Sequence, residues 1–207
     1  MSAAGRVVTG YSKPKIADYS CTAGVISYSN GMSLARGVSV EISIDEGDAN
    51  GFYADNQLAE SDAGTFTSGT ATLVVDGLKA NAEKSIQGLP TADSDGFLNY
   101  NDDQNKGYKA IGYLTRYQSD GAVTFVPTIL VKTKFNQLSR SAQTQEESKN
   151  YQTQQLTARI HRGDDAKHTW LKVSETEYET EAAAEAALDA ALGITNASAA
   201  GGATGGN

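Results

Sequence analysis

Apolar and polar residues alternate through several separate stretches of this chain. In the clearest stretch, apolar Val38, Val40, Ile42 and Ile44 are interleaved with polar residues up to Asp45. A period of two residues places alternate side chains on opposite faces of an extended strand, so it predicts β-strands with one buried face. The same pattern occurs over Thr65–Asp76, Tyr108–Gln118, Val123–Val131 and Gln154–Arg162. The chain is therefore predicted to be mainly β.

Turn-forming residues between these stretches predict how the strands pair. Ser119-Asp120-Gly121 predicts the tight turn of a hairpin. Ser29-Asn30-Gly31 predicts a second turn, directly after a short strand over Val25–Tyr28. A third turn, over Gly163–Asp165, is predicted to pair Gln154–Arg162 with a strand over His168–Ser174. Pro127 has no N–H to donate, so it predicts an edge position, a bulge or an outward-facing nitrogen.

Two helices are predicted beside the strands. The first covers Leu78–Gly88, and the second covers Thr180–Leu192 with Thr180 as its N-cap and Gly193 as its C-cap. We therefore expect a β-sandwich or partly closed barrel with one flanking helix and a C-terminal helix. Residues 1–193 are predicted to form one domain. The Gly-rich residues 194–207 are predicted to form a flexible tail, because they contain too little apolar surface to order themselves.

Composition excludes several classes of protein. Lys and Arg number 17 against 25 Asp and Glu, so the formal net charge is -8 and tight binding of nucleic acid through phosphate neutralisation is not expected. A single cysteine, Cys21, excludes an internal disulfide framework. No apolar run approaches the length of a membrane span, and the first residues do not resemble a secretory signal. We therefore expect folding in a cytoplasm and no membrane insertion.

Charge is unevenly distributed along the chain. Gly37–Leu78 contains eight acidic residues and no Lys or Arg, a local charge of -8. Lys132–Lys172 contains eight basic and four acidic residues, a local charge of +4. Two interpretations stay open: two ordinary solvated faces, or self-complementary surfaces through which one subunit attracts the next.

The segment Glu46–Gly64 interrupts the alternating pattern. It is rich in turn formers, yet it contains the apolar residues Phe52, Tyr53 and Leu58. Long loops in compact domains are usually functional or disordered, and adjacent aromatic residues favour a contact loop. The alternative is that Phe52 and Tyr53 fold back over the protein's own core.

Residues that could carry catalysis or bind metal are few. Asp93–Gly96 and Asn101–Gly107 resemble calcium loops, but Lys106 and Gly112 occupy the positions at which an EF-hand needs glycine and glutamate. A solvated turn is therefore the simpler interpretation. A metal site could in principle use residues around the predicted turn: His161, Asp164, Asp165 and His168. Hairpin ends collect polar residues in any case, and Cys21 is interpreted as a structural thiol. We expect no enzymatic activity and no cofactor.

Several stretches resemble one known family of proteins. They are Tyr28–Val40 (YSNGMSLARGVSV), Gly51–Glu60 (GFYADNQLAE), Gly112–Gly121 (GYLTRYQSDG), Lys134–Gln137 (KFNQ) and Gln152–Ala158 (QTQQLTA). With the closing Glu/Ala-rich helix, they resemble the major tail proteins of long-tailed phages, which are the subunits of the tail tube. The likeness runs from about Val8 to Leu192, and FYADNQ is its most specific part.

This resemblance implies a structural virion protein. Such subunits form rings, commonly of six, that stack into a hollow tube around a tape measure protein, and the genome passes through the tube during ejection. It also implies contacts with tail terminator and tail-tip proteins, assembly in the host cytoplasm and a final location in the virion tail. In this family a long loop reaches the neighbouring ring, and here the ring-stacking candidates are Phe52, Tyr53, Asn56, Gln57 and Leu58.

A conduit for DNA should not bind DNA, so its lumen is expected to be acidic. The strand residues Glu41, Ser43 and Asp45 are the lumen-facing candidates. Two other functions stay open. One is another β-rich virion protein of the tail tip or the head decoration. The other is a carbohydrate-binding β-sandwich module that exposes Tyr113 or Tyr117.

Overall fold

The computed structural model describes residues 5–47, 51–54, 57–61, 65–144 and 151–194, and for 51–54 and 57–61 it describes the backbone. Eight strands form one antiparallel sheet, two more form a separate hairpin, and two helices pack against the sheet. The mainly β class and both predicted helices are confirmed. The elements are β1 (Val7–Thr22), β2 (Val25–Ser33), β3 (Gly37–Glu46), β4 (Gly51–Ala54), β5 (Gln57–Ser61), β6 (Phe66–Val75), α1 (Ala80–Gln87), β7 (Lys109–Ser119), β8 (Ala122–Phe135), β9 (Gln154–His161), β10 (Leu171–Val173) and α2 (Glu181–Ala191).

The large sheet has the strand order β2-β1-β7-β8-β9-β6-β3, and β10 pairs with β8 beside this path. Its two end strands, β2 and β3, are consecutive in the chain and are joined by three residues, Leu34–Arg36. The sheet must therefore curl until its ends meet. The link joins the two ends: Leu34 N–H donates to Pro14 O in β1 (2.9 Å), and Asp76 N–H, just after β6, donates to Arg36 O (3.1 Å). The sheet is nevertheless not closed into a barrel.

The curled sheet encloses the main core on its inner face. Ile16, Ile111 and Leu130 come from three adjacent strands and are completely buried there. Ala82 and Ile86 of α1 cover the same core. Because Val40, Ile42 and Ile44 pack against it, the alternation that predicted β3 also fixes which face of β3 is outward.

The C-terminal helix covers part of the outer face of the sheet. Leu188 and Leu192 are fully buried against Ala17, Ala110 and Leu114. Ile16 and Ile111, which are next to Ala17 and Ala110 in the sequence, lie in the inner core. Burying each leucine contributes about 1.5–3 kcal/mol. As predicted, Thr180 is the N-cap, and its hydroxyl accepts a hydrogen bond from Ala183 N–H (3.3 Å).

One predicted turn, at Ser29-Asn30-Gly31, is wrong, and another, at Gly163–Asp165, is followed by a strand that pairs with a different partner. Ser29-Asn30-Gly31 lies inside β2, because a bulge opposite Ile16–Asp18 absorbs the positive φ of Asn30 (51°) without reversing the chain. The reversal occurs at Ala23-Gly24, where both φ angles are positive. The strand predicted after Gly163 does form, but β10 pairs with β8 and not with β9, whose two sides already pair with β6 and β8.

The Asp-Gly hairpin is confirmed. Asp120 and Gly121 have positive φ angles of 48° and 85° and connect β7 to β8. Pro127 lies inside β8, opposite Leu114 of β7. On the side of β8 away from β7, the Pro127 carbonyl accepts from Ser174 N–H (2.9 Å). The next contact along this side is the isolated bridge between Phe125 and Tyr178. The proline therefore occupies an interruption of the ladder, one of the positions that its missing N–H predicts.

Candidate assembly surfaces

The segment Glu46–Gly64 contains a two-stranded arm. Glu46 pairs with Phe66 at the end of the β3–β6 ladder, and Gly47 N–H donates to Thr65 O (2.9 Å) one step further out. Beyond this point β4 and β5 form an antiparallel hairpin. Within the described residues, β4 and β5 pair with each other and with no strand of the large sheet. An isolated two-stranded hairpin is marginally stable in water, so the arm requires further contacts to be held in place.

The ring-stacking candidates of the sequence belong to this arm. Phe52 pairs with Glu60, Tyr53 with Leu58, and Ala54 with Gln57. Asn56 lies outside the described residues. The predicted contact loop is thus a β-hairpin with a bulge between Phe52 and Tyr53. The two strands could not be predicted from the sequence. The segment is rich in turn formers, and strands of four and five residues are too short to show a period of two.

The large sheet has two uncapped edges. Among the described residues, β2 has one ladder partner, β1, and β3 has one ladder partner, β6. An unpaired edge strand presents a row of backbone N–H and C=O groups that can pair with another chain. The curled sheet thus offers two backbone surfaces suited to association with copies of itself.

The lumen-facing candidates share one exposed face. Glu41, Ser43 and Asp45 all point away from the core, because the alternate residues of β3 pack inward. Across β6 they lie opposite hydroxyl side chains: Glu41 opposite Thr72, Ser43 opposite Thr70, and Asp45 opposite Ser68. Ser68 Oγ donates to Asp45 Oδ2 (2.9 Å). The sequence prediction that these three residues share a face agrees with this register.

The same outer face continues into a row of cations. Thr70 of β6 lies opposite Arg159 of β9, and Arg159 lies opposite Lys134 of β8. Both cationic side chains are exposed, and Arg159 Nη2 donates to Ser68 Oγ (3.2 Å). The acidic and basic segments of the sequence therefore meet on one face, with a band of hydroxyl groups between them. This juxtaposition could not be predicted from the sequence, because it depends on the strand order β3-β6-β9-β8.

Aromatic rings support the cationic end of this face. Lys132 Nζ lies 4.4 Å from the centroid of the Tyr108 ring and forms an ion pair with Asp164 (2.7 Å). His161 packs edge-on against Tyr108 at 5.4 Å between the ring centroids. Burial, together with nearby Lys132 and Arg159, lowers the pKa of His161, so its imidazole is neutral at pH 7. The hydrogen bond from Lys132 is the main cause of the lowered pKa of Asp164.

The residues considered for metal binding have other partners. Asp164 accepts from Tyr19 and Lys132, and Asp165 accepts from Thr169 N–H (2.8 Å). Asp93 and Asn101, from the two calcium-like loops, accept from backbone N–H groups of their own turns. Across the described residues, no three His, Cys, Asp or Glu side chains form a group able to hold a metal ion. Cys21 is a half-buried free thiol.

The tyrosines considered for carbohydrate stacking are covered. Tyr113 is 6% exposed and packs against Tyr11 with 5.5 Å between ring centroids. Tyr117 is half-buried, and the Arg6 guanidinium lies 4.2 Å above its ring. Tyr113 is therefore covered by packing within the protein, and the ring of Tyr117 is covered by Arg6, so neither presents the open face that stacking on a sugar requires.

In the part of the chain that the structure describes, no helix is both long and apolar enough to cross a lipid bilayer. Comparison with protein-family models finds no family that matches the chain. Comparison with curated protein sequences finds no significant match.

Proposed function

We propose that this protein is a structural subunit that assembles with copies of itself into stacked rings, which form the tail tube of a long-tailed phage. The observation that carries the proposal is the β4–β5 arm, which pairs only with itself in the described part of the chain. The open edges of β2 and β3 add a second route to self-association. The resemblance of the sequence to major tail proteins supplies the particular assembly: rings of about six subunits around a tape measure protein.

The arm is the proposed contact between rings. A hairpin that pairs with no third strand among the described residues of its own subunit can gain one, or an equivalent packing surface, from a neighbouring subunit. The test is negative-stain microscopy and sedimentation velocity of the purified full chain. Tubes or ring stacks support the proposal, and a solitary monomer at all concentrations contradicts it. The double variant Phe52→Ser/Tyr53→Ser is expected to fold and to lose long tubes, while Thr67→Ser, a mild change at the base of the arm, keeps them.

The outer face of β3, β6, β9 and β8 is the proposed lining of the lumen. Glu41, Ser43 and Asp45 stand at its acidic end, and the lining also includes the exposed cations Lys134 and Arg159 because they share the face. In a Cys21→Ser background, Ser43→Cys tests this arrangement. In assembled tubes the new thiol should react with a small maleimide and be protected from a bulky polymer-linked maleimide. Thr176→Cys, an exposed position between β10 and α2, is the control and should react with both reagents. Equal reaction of both thiols with the bulky reagent would place the β3 face outside the tube.

The further partners in this proposal are tail terminator and tail-tip proteins at the two ends of the tube. DNA passes through the lumen without sequence-specific binding. Assembly takes place in the host cytoplasm, and the final location is the virion tail.

A further inference from the structure

The 21 residues between α1 and β7, 88–108, contain no helix or strand but are tightly organised. One carboxylate, that of Asp93, accepts hydrogen bonds from Phe97 N–H (2.9 Å), Asp95 N–H (3.1 Å) and Asn99 Nδ2 (3.0 Å). Gly88 closes the base of the loop, where Asn105 N–H donates to Gly88 O (3.0 Å). Such a loop holds its shape before it meets a partner, which reduces the entropy lost on binding.

This organised loop presents an aromatic ring to solvent. Phe97 is 68% exposed, although phenylalanine is among the residues most often buried in proteins. Asp95 stands two residues away, also exposed, and forms no ion pair among the described residues. An exposed aromatic side chain on an organised loop, two residues from a carboxylate, suits the role of an anchor for a protein interface, and its complement is a cleft that combines apolar surface with a cation.

A cleft that combines apolar and charged residues lies beside the N-terminal end of α1. It has a volume of about 520 Å³ and surrounds the three-residue link that joins the ends of the sheet. Six of the residues that line it are Lys13, Pro14, Leu34, Ala35, Arg36 and Lys79. Two of the cationic side chains form ion pairs with carboxylates that also line the cleft: Lys13 with Glu185 (3.0 Å) and Arg36 with Asp76 (2.5 Å). Lys79 has no ion-pair partner among the described residues.

We infer that Phe97 of one copy inserts into this cleft of a second copy, with Asp95 beside Lys79. The volume of the cleft accommodates a phenyl ring. The carboxylate of Asp95 and the ammonium of Lys79, which form no ion pair among the described residues, complete each other across the contact. The loop and the cleft are different surfaces of the subunit: Gly88, at the base of the loop, caps one end of α1, and Lys79, in the cleft, caps the other. A contact between two different surfaces is head-to-tail and can repeat from copy to copy, as closed rings or helical stacks require. The inference rests on the self-association part of the proposed function and does not require the tube.

Sedimentation velocity of the full chain tests the contact. Phe97→Ser is expected to weaken association at least about tenfold, as loss of a central aromatic anchor does. Asp95→Lys and Lys79→Glu should each weaken association, and the double variant Asp95→Lys/Lys79→Glu should return it to within about threefold of the wild type, because the reversed charges attract again. Glu175→Lys and Lys167→Glu, exposed residues outside the loop and the cleft, are the matched controls and should change nothing.

A cysteine pair gives an independent geometric readout. In a Cys21→Ser background, Phe97→Cys with Ala35→Cys should form disulfide-linked oligomers on mild oxidation, whereas either single cysteine variant should not form a ladder of oligomers. If wild-type protein assembles while Phe97→Ser assembles equally well, the contact is wrong and the proposed function stands. If single charge reversals weaken assembly but the swap does not restore it, the pairing of Asp95 with Lys79 is wrong. A wild-type chain that stays monomeric overturns both the contact and the proposed function.

Discussion

The ammonium of Lys15 in β1 contacts the carboxylate of Asp189 in α2, and these two side chains are only 3% and 4% exposed. Glu185, one turn earlier in α2, also contacts Lys15 (2.8 Å). Removing one member of a buried ion pair leaves the remaining charge poorly compensated. We therefore expect Lys15→Ala to lower the free energy of unfolding by about 3–5 kcal/mol, measured by urea denaturation followed by circular dichroism.

The matched control is Arg6→Ala, which removes an ion pair to Glu177 between two side chains that are each about two-fifths exposed. Solvent screens such a pair, so the unfolding midpoint should hardly move. Equal destabilisation by the two substitutions would mean that the buried pair is not what holds α2 on the sheet.

Acid should weaken the same contact. Burial by itself raises the pKa of Glu185, but hydrogen bonds from Lys15 and Lys13 outweigh it and hold the pKa below its usual value. A carboxyl group whose pKa is lower in the folded state stabilises the fold above its ordinary pKa of about 4.3, and this stabilisation is lost as the pH falls through the folded-state value. Thermal melting between pH 7 and pH 3 should therefore show a smaller acid-induced decrease in Glu185→Gln than in the wild type. A pH dependence identical to that of the wild type would assign the acid sensitivity to other carboxylates.

Much of the sheet could be predicted from the sequence, because alternation survives where strands are regular. It gave close bounds for β3, β6 and β7, whose inward positions are mostly apolar or small, the buried Lys109 at the start of β7 being an exception. It missed β1, the longest strand, because bulges at Val8–Gly10 and Ser12–Lys15 shift the period twice. Lys15 also lies on the buried side of β1, where it meets α2. A lysine in a core position cannot be recognised without its distant carboxylate partner.

The candidate surfaces were predictable in part. The sequence placed Glu41 and Asp45 on one face of a strand, and it identified the charge difference between two segments. It did not predict that Ser68 forms hydrogen bonds with both Asp45 and Arg159, because these contacts require β6 to lie between β3 and β9. The Asp93 turn is predicted as an ordinary solvated turn, since the sequence does not reveal that the Asp93 carboxylate binds the backbone N–H of Phe97.

Gly88 is expected to be essential for the shape of the loop that presents Phe97. It has a positive φ of 59°, and a Cβ atom there would lie 2.0 Å from Asn105 O. Because that neighbour is backbone, it cannot move aside as a side chain could. Gly88→Ala should lower the free energy of unfolding by about 1–3 kcal/mol and should weaken self-association as Phe97→Ser does. Gly107→Ala, where an added Cβ meets nothing within 4 Å, should leave both measurements unchanged.

The end of the folded domain can be tested by truncation. Ile194 N–H donates to Asp189 O (2.8 Å), and its side chain packs against the cluster beneath α2 and close to Gly31 of β2. Ile194, which the sequence assigns to the tail, therefore contacts the folded domain. A chain that ends at Ile194 should unfold at the same temperature as the full chain, because residues 195–207 contain too few apolar side chains to build a core. A chain that ends at Leu192 should lose about 1–2 kcal/mol, since it lacks the buried part of Ile194 and its hydrogen bond. Equal melting temperatures for the two truncated chains would show that Ile194 contributes nothing to the docking of α2.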